Sequence, residues 1–310
     1  MTERHFSTRS VPSREDLLDP AFLARIDSYA LRLGRTQRGR RLADQRTTAR
    51  GQGTDFADFK PYVAGDDLRT IDWNIYRRIG KTFVRVFEEH HDLPVHVLVD
   101  CSGSMFAEDP PRIAAGLRAA LAVAGVALAQ HDTVSLHSFA DRLLVHSRSL
   151  SGRSMLTRVA DFLSQASPQG TTDLADAATR LGKSGLRPGL LVVISDFFAD
   201  GGLDAALAAL SRLPHRTMLV QMVRDYDAEP QLHPTFEADS DIAIASGEGG
   251  EAVAATMSAE VLDAYREAYT TFSERLVRFA AAHGTGLARI DCAVPVIDQL
   301  PILFGDGMRA

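Results

Sequence analysis

From Pro94 onward the chain alternates short apolar runs with longer stretches in which apolar residues recur every three or four positions. Val95–Val99, Thr133–Phe139, Leu143–His146, Leu190–Ile194, Thr217–Val223 and Leu287–Ile290 are the runs, and their length and content predict strands. Between them Ile113, Leu117, Leu121, Ala124 and Leu128 share a helical stripe, as do Leu156, Val159, Phe162 and Leu163. Leu174–Leu181 and Leu203–Leu213 read as further helices. A long helix is predicted over 259–283, with Leu262, Tyr265, Tyr269, Phe272, Leu276 and Phe279 on one side and Gly284 and Gly286 to stop it. Val296–Leu303 closes the pattern as a short helix. Strands that are apolar throughout and alternate with amphipathic helices imply an α/β fold: a doubly wound, mostly parallel sheet covered on both faces. Residues 225–256 interrupt the rhythm with Gly, Asp and Glu and are predicted to be a polar hairpin insertion in a domain spanning 93–305.

Upstream the texture differs. A helix is predicted from Ser13 to about Leu33, with Ser13 and Asp16 as a capping box. Arg35, Arg38, Arg40, Arg41, Arg46 and Arg50 follow and are read as a solvated basic connector, so that residues 1–50 form an N-terminal helix and connector. Residues 51–92 are punctuated by Gly51, Gly53, Gly65 and Gly80 and contain the β-prone run Phe83–Phe87. They are expected to form a small β-rich subdomain.

Composition narrows the function. Of 310 residues, 45% are hydrophobic and 24% charged, enough apolar material for a sizeable core. The net charge of -6 gives no global reason to expect nucleic acid as a partner. Cys101 and Cys292 are too few for a disulfide framework and lack zinc-site spacing, which favours a reducing cytoplasmic setting. No transmembrane segment is expected: the most apolar stretch, near Ile113 to Ala129, is alanine-rich and striped like a packed helix. Peripheral association with a membrane surface stays open.

Three pieces carry chemistry. Val99-Asp100-Cys101-Ser102-Gly103-Ser104 and Ile194-Ser195-Asp196 each place an acid at the C-terminal end of an apolar strand, the edge where open α/β sheets bind ligands. Gly170-Thr171-Thr172-Asp173 lies on a loop that opens a helix. Hydroxyls from Ser102, Ser104 and Thr172, with Asp100 and Asp196 holding bound waters, suit a hard divalent cation such as Mg2+ or Mn2+. Neutral direct donors leave the cation's charge largely unquenched. An open position would then attract a carboxylate from another protein.

The pattern resembles the metal-ion-dependent adhesion site of von Willebrand factor A domains. The resemblance implies Asp100, Ser102, Ser104, Thr172 and Asp196 as the site, with Thr172 chosen over Thr171 because it precedes Asp173. Ser195-Asp196-Phe197 stands where many such domains have Thr-Asp-Gly. Upstream, Gly53-Thr54-Asp55-Phe56, then Tyr62 to Trp73 with Gly65-Asp66-Asp67-Leu68-Arg69-Thr70-Ile71-Asp72, then Arg77 and Phe87-Glu88-Glu89, resemble the bacterial family called domain of unknown function 58. Arg224-Asp225-Tyr226-Asp227 fits the same family. That resemblance implies a partner, a MoxR-type AAA+ ATPase, and a role in assembling or maturing client proteins.

An enzyme is the competing class. A haloacid-dehalogenase-like phosphatase also begins with an apolar strand ending in Asp, but needs a second carboxylate two residues on, where this chain has Ser102. No phosphate-binding Gly-x-x-x-x-Gly-Lys loop occurs, so the chain is not expected to be an NTPase itself. A non-catalytic binding module is therefore expected. Asp66, Asp67, Arg69 and Asp72 are read as a turn-capping structural network, Cys101 as a buried inert thiol, and His90 and His91 as no metal pair, because neighbours on an extended chain face opposite sides.

Overall fold

The structure is a computed structural model that describes residues 11–44, 55–88, 93–147, 149–198, 202–234, 236, 241–244, 253–256 and 258–305. Arg46, Arg50, Gly53, Thr54, Glu89, His90 and His91 lie outside the described residues. The chain divides into two compact units, Arg35–Asp92 and the pair of segments Met1–Gly34 and Leu93–Ala310.

The N-terminal elements are α1 (Arg14–Leu17) and α2 (Pro20–Asp44). The Ser13 hydroxyl accepts from the Asp16 N–H, and the Asp16 carboxylate accepts from the Ser13 N–H, completing the predicted capping box. The helix α2 runs through Arg35–Arg41, a segment read from sequence as connector. Long Arg side chains cost little in a helix, so a basic run does not by itself stop one.

In the unit Arg35–Asp92, β1 (Asp55–Pro61) pairs antiparallel with β2 (Phe83–Glu88), and α3 (Trp73–Ile79) lies between them in sequence. The expected β-rich region is thus one strand pair with a helix inserted. The acids of its signature are caps. Asp66 accepts from the Val63 N–H and pairs with Lys60 (2.7 Å), and Asp67 caps the 3-10 turn Leu68–Thr70. Asp72 accepts from the N–H groups of Asn74 and Ile75 to start α3, and its other oxygen takes two bonds from Arg85 (2.8 and 2.7 Å). The Arg85 bond is the main reason the Asp72 carboxyl is held below the usual carboxylate range. Gly80, at φ 66°, ends α3 in the left-handed conformation.

The larger unit continues with β3 (Pro94–Asp100), α4 (Arg112–Ala129), β4 (Thr133–Phe139), β5 (Leu143–His146), β6 (Leu150–Ser151), α5 (Leu156–Leu163), α6 (Leu174–Lys183), β7 (Leu190–Ser195), α7 (Leu203–Leu210) and β8 (Arg216–Val223). After these come α8 (Asp225–Ala228), β9 (Asp241–Ile244), β10 (Val253–Thr256), α9 (Ala259–His283), β11 (Gly286–Asp291) and α10 (Val296–Phe304). The sheet order is β11-β8-β7-β3-β4-β5, with β6 also on β4. All neighbours from β11 to β4 are parallel, while β5 and β6 run antiparallel to β4. This is a doubly wound, mostly parallel α/β sheet. The insertion contains the expected hairpin, β9 against β10.

Each sheet face has its own core. One gathers α1, α2, α4, α5 and α10, for example Ile26, Leu121, Val159 and Leu300. The other gathers α6, α7 and the C-terminal part of α9, for example Leu181, Leu207 and Leu276. Among the described residues α4 is the one helix long and apolar enough to cross a membrane, and 89% of that span is buried inside the domain. At the start of β7, Gly189 is packed against the backbone of Pro94: an added Cβ would sit 2.0 Å from the Pro94 carbonyl oxygen. Gly189→Ala is therefore expected to force β7 from β3 and to cost about 3 kcal/mol, the upper end of overpacking. A denaturant titration checks this, and an unchanged midpoint would refute it.

Candidate metal centre

The strands β3 and β7 lie side by side at the centre of the sheet, and the chain leaves them in opposite directions. Their carboxyl ends therefore form the crevice of a doubly wound sheet. Asp100 ends β3 and is fully buried, and Asp196 follows β7 and is 1% exposed. Two carboxylates are thus held out of water by apolar strands on either side.

Local geometry fixes the first of them. Asp100 Oδ1 accepts from the Ser102 N–H (2.9 Å), and Oδ2 accepts from the Ser195 hydroxyl (2.5 Å). The Ser195 oxygen in turn accepts from the Phe197 N–H (2.8 Å). Ser102 is fully buried, Ser104 half-buried, and their hydroxyl oxygens stand 3.1 Å apart. The loop carrying Thr172 is tied to this turn by backbone bonds from Gly103 N–H to the Gly170 carbonyl (3.2 Å) and from Gln169 N–H to the Cys101 carbonyl (2.9 Å). Asp173 is spent as the cap of α6, accepting from the Asp176 N–H (2.8 Å). Thr172 is buried beside it, whereas Thr171 is half-buried.

The electrostatics are those of a site with too much negative charge. Burial first, and the charge of Asp196 second, push the Asp100 carboxyl up to about 7, against the bonds from Ser195 and Ser102. Burial likewise raises Asp196. The Phe198 N–H donates to Asp196 Oδ1 (3.0 Å), and Arg112 and the Ser104 hydroxyl favour its ionised form. Yet Asp196 Oδ2 is buried and completes no hydrogen bond among the described residues. Among those residues no group of three or more His, Cys, Asp or Glu side chains is gathered as ligands. The donor set is instead hydroxyls backed by two carboxylates, which fits a hard cation that keeps some of its waters. Cys101 does not join it: burial, then Asp100, push its thiol up to about 12.

Three features were not read from the sequence. Ser195 holds Asp100. Phe197, where a glycine is common, has φ 64° with its ring in the core beside Leu98 and Phe139. That left-handed backbone costs a non-glycine residue roughly 1–2 kcal/mol, and burial of the ring offsets it. The third is a buried ionic network next to the crevice. Arg112, in the first turn of α4, bonds both oxygens of Asp227 (2.6 and 2.5 Å) and also Glu108 (2.7 Å). Arg224 pairs with Glu108 (2.5 Å) and bonds the Pro110 carbonyl. The Arg112 guanidinium also lies over the Phe198 ring, 5.8 Å from its centroid.

The family described as "Protein of unknown function DUF58" matches residues 58–272. The chain belongs to this family. No curated protein matches it in sequence. BatB from Bacteroides thetaiotaomicron, a conserved hypothetical protein, is 16% identical over 70% of this chain and all of its own, with a TM-score of 0.39. An aerotolerance-related membrane protein from Bacteroides fragilis is 15% identical over 68% of this chain and 98% of its own, with a TM-score of 0.40. A von Willebrand factor type A protein from Catenulispora acidiphila is 14% identical over 47% of this chain and 36% of its own, with a TM-score of 0.34. In this DUF58 chain the signature acids of residues 66–72 cap turns, while Arg224 and Asp227 belong to the network beside the crevice.

Proposed function

We propose that this DUF58 protein is a non-catalytic, metal-dependent protein-interaction module. Asp100, Ser102, Ser104, Thr172 and Asp196 hold a divalent cation, Mg2+ or Mn2+, and an acidic side chain of a partner completes its shell. The observation that carries this reading is the pair of buried acids, Asp100 and Asp196, the second with an oxygen that completes no hydrogen bond among the described residues. An uncompensated buried charge is costly, so a cation is the natural occupant. When bound, it supplies a Lewis-acidic position for a carboxylate. Ser195 and the Ser102 N–H hold Asp100 in place, and Ser102, Ser104 and Thr172 present hydroxyls without neutralising the ion. The family resemblance supplies the partner class, a MoxR-type AAA+ ATPase or its client, acting in protein assembly or maturation in the cytoplasm.

Calorimetric titration with MgCl2 or MnCl2 is the direct test. Weak binding is expected from the isolated protein, because water still fills part of the shell. The Ser102→Ala/Asp196→Ala double variant should show none. Equal binding by that variant would refute the ligand assignment.

A further inference from the structure

The α9 helix is 25 residues long, yet its buried residues are Leu262, Leu276, Phe279 and Ala280. Its middle turns carry a row of rings at positions four and three apart. Tyr265 and Tyr269 stack at 6.5 Å between centroids, Tyr269 meets Phe272 at 6.0 Å, and Phe272 stacks on Phe198 at 5.2 Å. Phe198 is two residues from Asp196, so the ladder starts at the metal crevice. Tyr265 is 42% exposed and Phe198 36% exposed, and Phe272 and Tyr269 are half-buried. The Tyr265 hydroxyl donates to the Asp227 carbonyl (2.9 Å), which holds that ring to α8.

Charge frames the ladder. Two charges act on Tyr269 most: Asp227, which is itself paired with Arg112, and, in the opposite sense, Arg289, which is exposed on the edge strand β11 and donates from Nε to Gln221 Oε1 (3.1 Å). Among the described residues Arg289 has no ion-pair partner. The α9 acids Asp263 and Glu274 are paired with Arg266 and Arg278. Glu260 and Glu267 fall on the opposite side of the helix by its 3.6-residue period. A cation in the crevice and Arg289 along the rings therefore present two positive charges beside an aromatic face.

We propose that this ladder is the specificity surface of the metal site, and that it takes a partner segment in which a metal-binding acidic residue is followed by an aromatic side chain and a second acid. The proposal rests on the metal reading above for the first acid. The aromatic ladder selects the aromatic residue, since partly exposed stacked rings gain most from another aromatic surface and such anchors dominate binding energies. Arg289 selects the second acid and speeds encounter.

Random twelve-residue peptides displayed on phage, selected on the full-length protein in MgCl2 at several times the ~1 mM dissociation constant of the weakest divalent sites, test it. Enriched peptides should share an acidic residue followed within a few positions by Phe, Tyr or Trp. A synthetic peptide of the enriched sequence should lose at least tenfold in affinity on Tyr269→Ser and on Arg289→Glu, each measured well below its own melting temperature on protein shown to be folded by circular dichroism. Enrichment of acidic peptides with no aromatic preference would overturn the ladder and leave the metal site standing. Aromatic peptides bound equally in chelator would retain the ladder but overturn the proposed acidic segment. If no peptide is enriched, the surface as proposed is wrong.

Discussion

Replacing Arg112 by methionine is expected to remove about 3–5 kcal/mol of stability, roughly 10 °C of melting temperature. The side chain is 4% exposed and bridges Asp227, 5% exposed, to Glu108. Burial alone would lower the Arg112 pKa, but the bonds and charges of Asp227 and Glu108 outweigh it and raise it. Methionine matches the length of the stem and removes the charge, so the Asp227 carboxylate stays buried with its strongest partner gone. The loss is a penalty for stranding a charge, not the net worth of the pair. The Arg112→Met/Asp227→Leu double variant should therefore recover much of the lost stability. An exposed pair gives the contrast: Asp263→Ala, which removes a partner 77% exposed beside Arg266, should cost under about 1 kcal/mol. If Arg112→Met is as mild as Asp263→Ala, the network contributes little and its place beside the crevice has no energetic meaning.

The network explains why part of the site was invisible in the sequence. Arg112 and Asp227 are 115 positions apart, and neither sits in a motif with a chemical rationale of its own. The quartet Arg224-Asp225-Tyr226-Asp227 was recognisable as a family feature, yet its partner at α4 emerges only when β8 pairs with β7 in the sheet. The same holds for Ser195, whose bond to Asp100 spans two neighbouring strands. By contrast, Asp100 and Asp196 were legible because a buried strand cannot end in an acid without consequence. The strand positions after Pro94 were equally legible, since apolar runs of that length bounded by turns have few alternatives. Periodicity failed where no core imposed it. The run Arg35–Arg41 has no apolar stripe to announce the continuation of α2, and Trp73–Ile79 is one short helix whose start depends on the Asp72 cap. Phe197 shows the reverse case: a bulky residue in a left-handed turn contradicts local preference, and only the surrounding apolar packing accounts for it.

The Asp100→Asn variant separates a metal site from a hydrogen-bonded brace. Asparagine can still accept from the Ser102 N–H, but it carries no charge for a cation. In the folded protein the Asp100 carboxyl titrates near 7, because it is buried and faces Asp196. In the unfolded chain an aspartate ionises near ~4. Between those values the unfolded state has released a proton that the folded state still holds. The unfolded state is thereby favoured, so this group's contribution to stability falls as pH rises from about 4 to about 7 and stays at its lower level above that. Without metal, Asp100→Asn should thus melt close to wild type near pH 4.5 and several degrees above it at pH 8, since asparagine escapes the titration. Adding MgCl2 at pH 8 should raise the melting temperature of the wild type, because a cation pairs the two acids, and should leave the variant unmoved. Capture of a partner should be lost in the variant and in chelator alike. A brace behaves oppositely: Asp100→Asn would then lower stability at every pH, with no response to Mg2+ from either protein. That second pattern would end the metal-bridge reading, since the two buried acids would have been holding strand ends together all along.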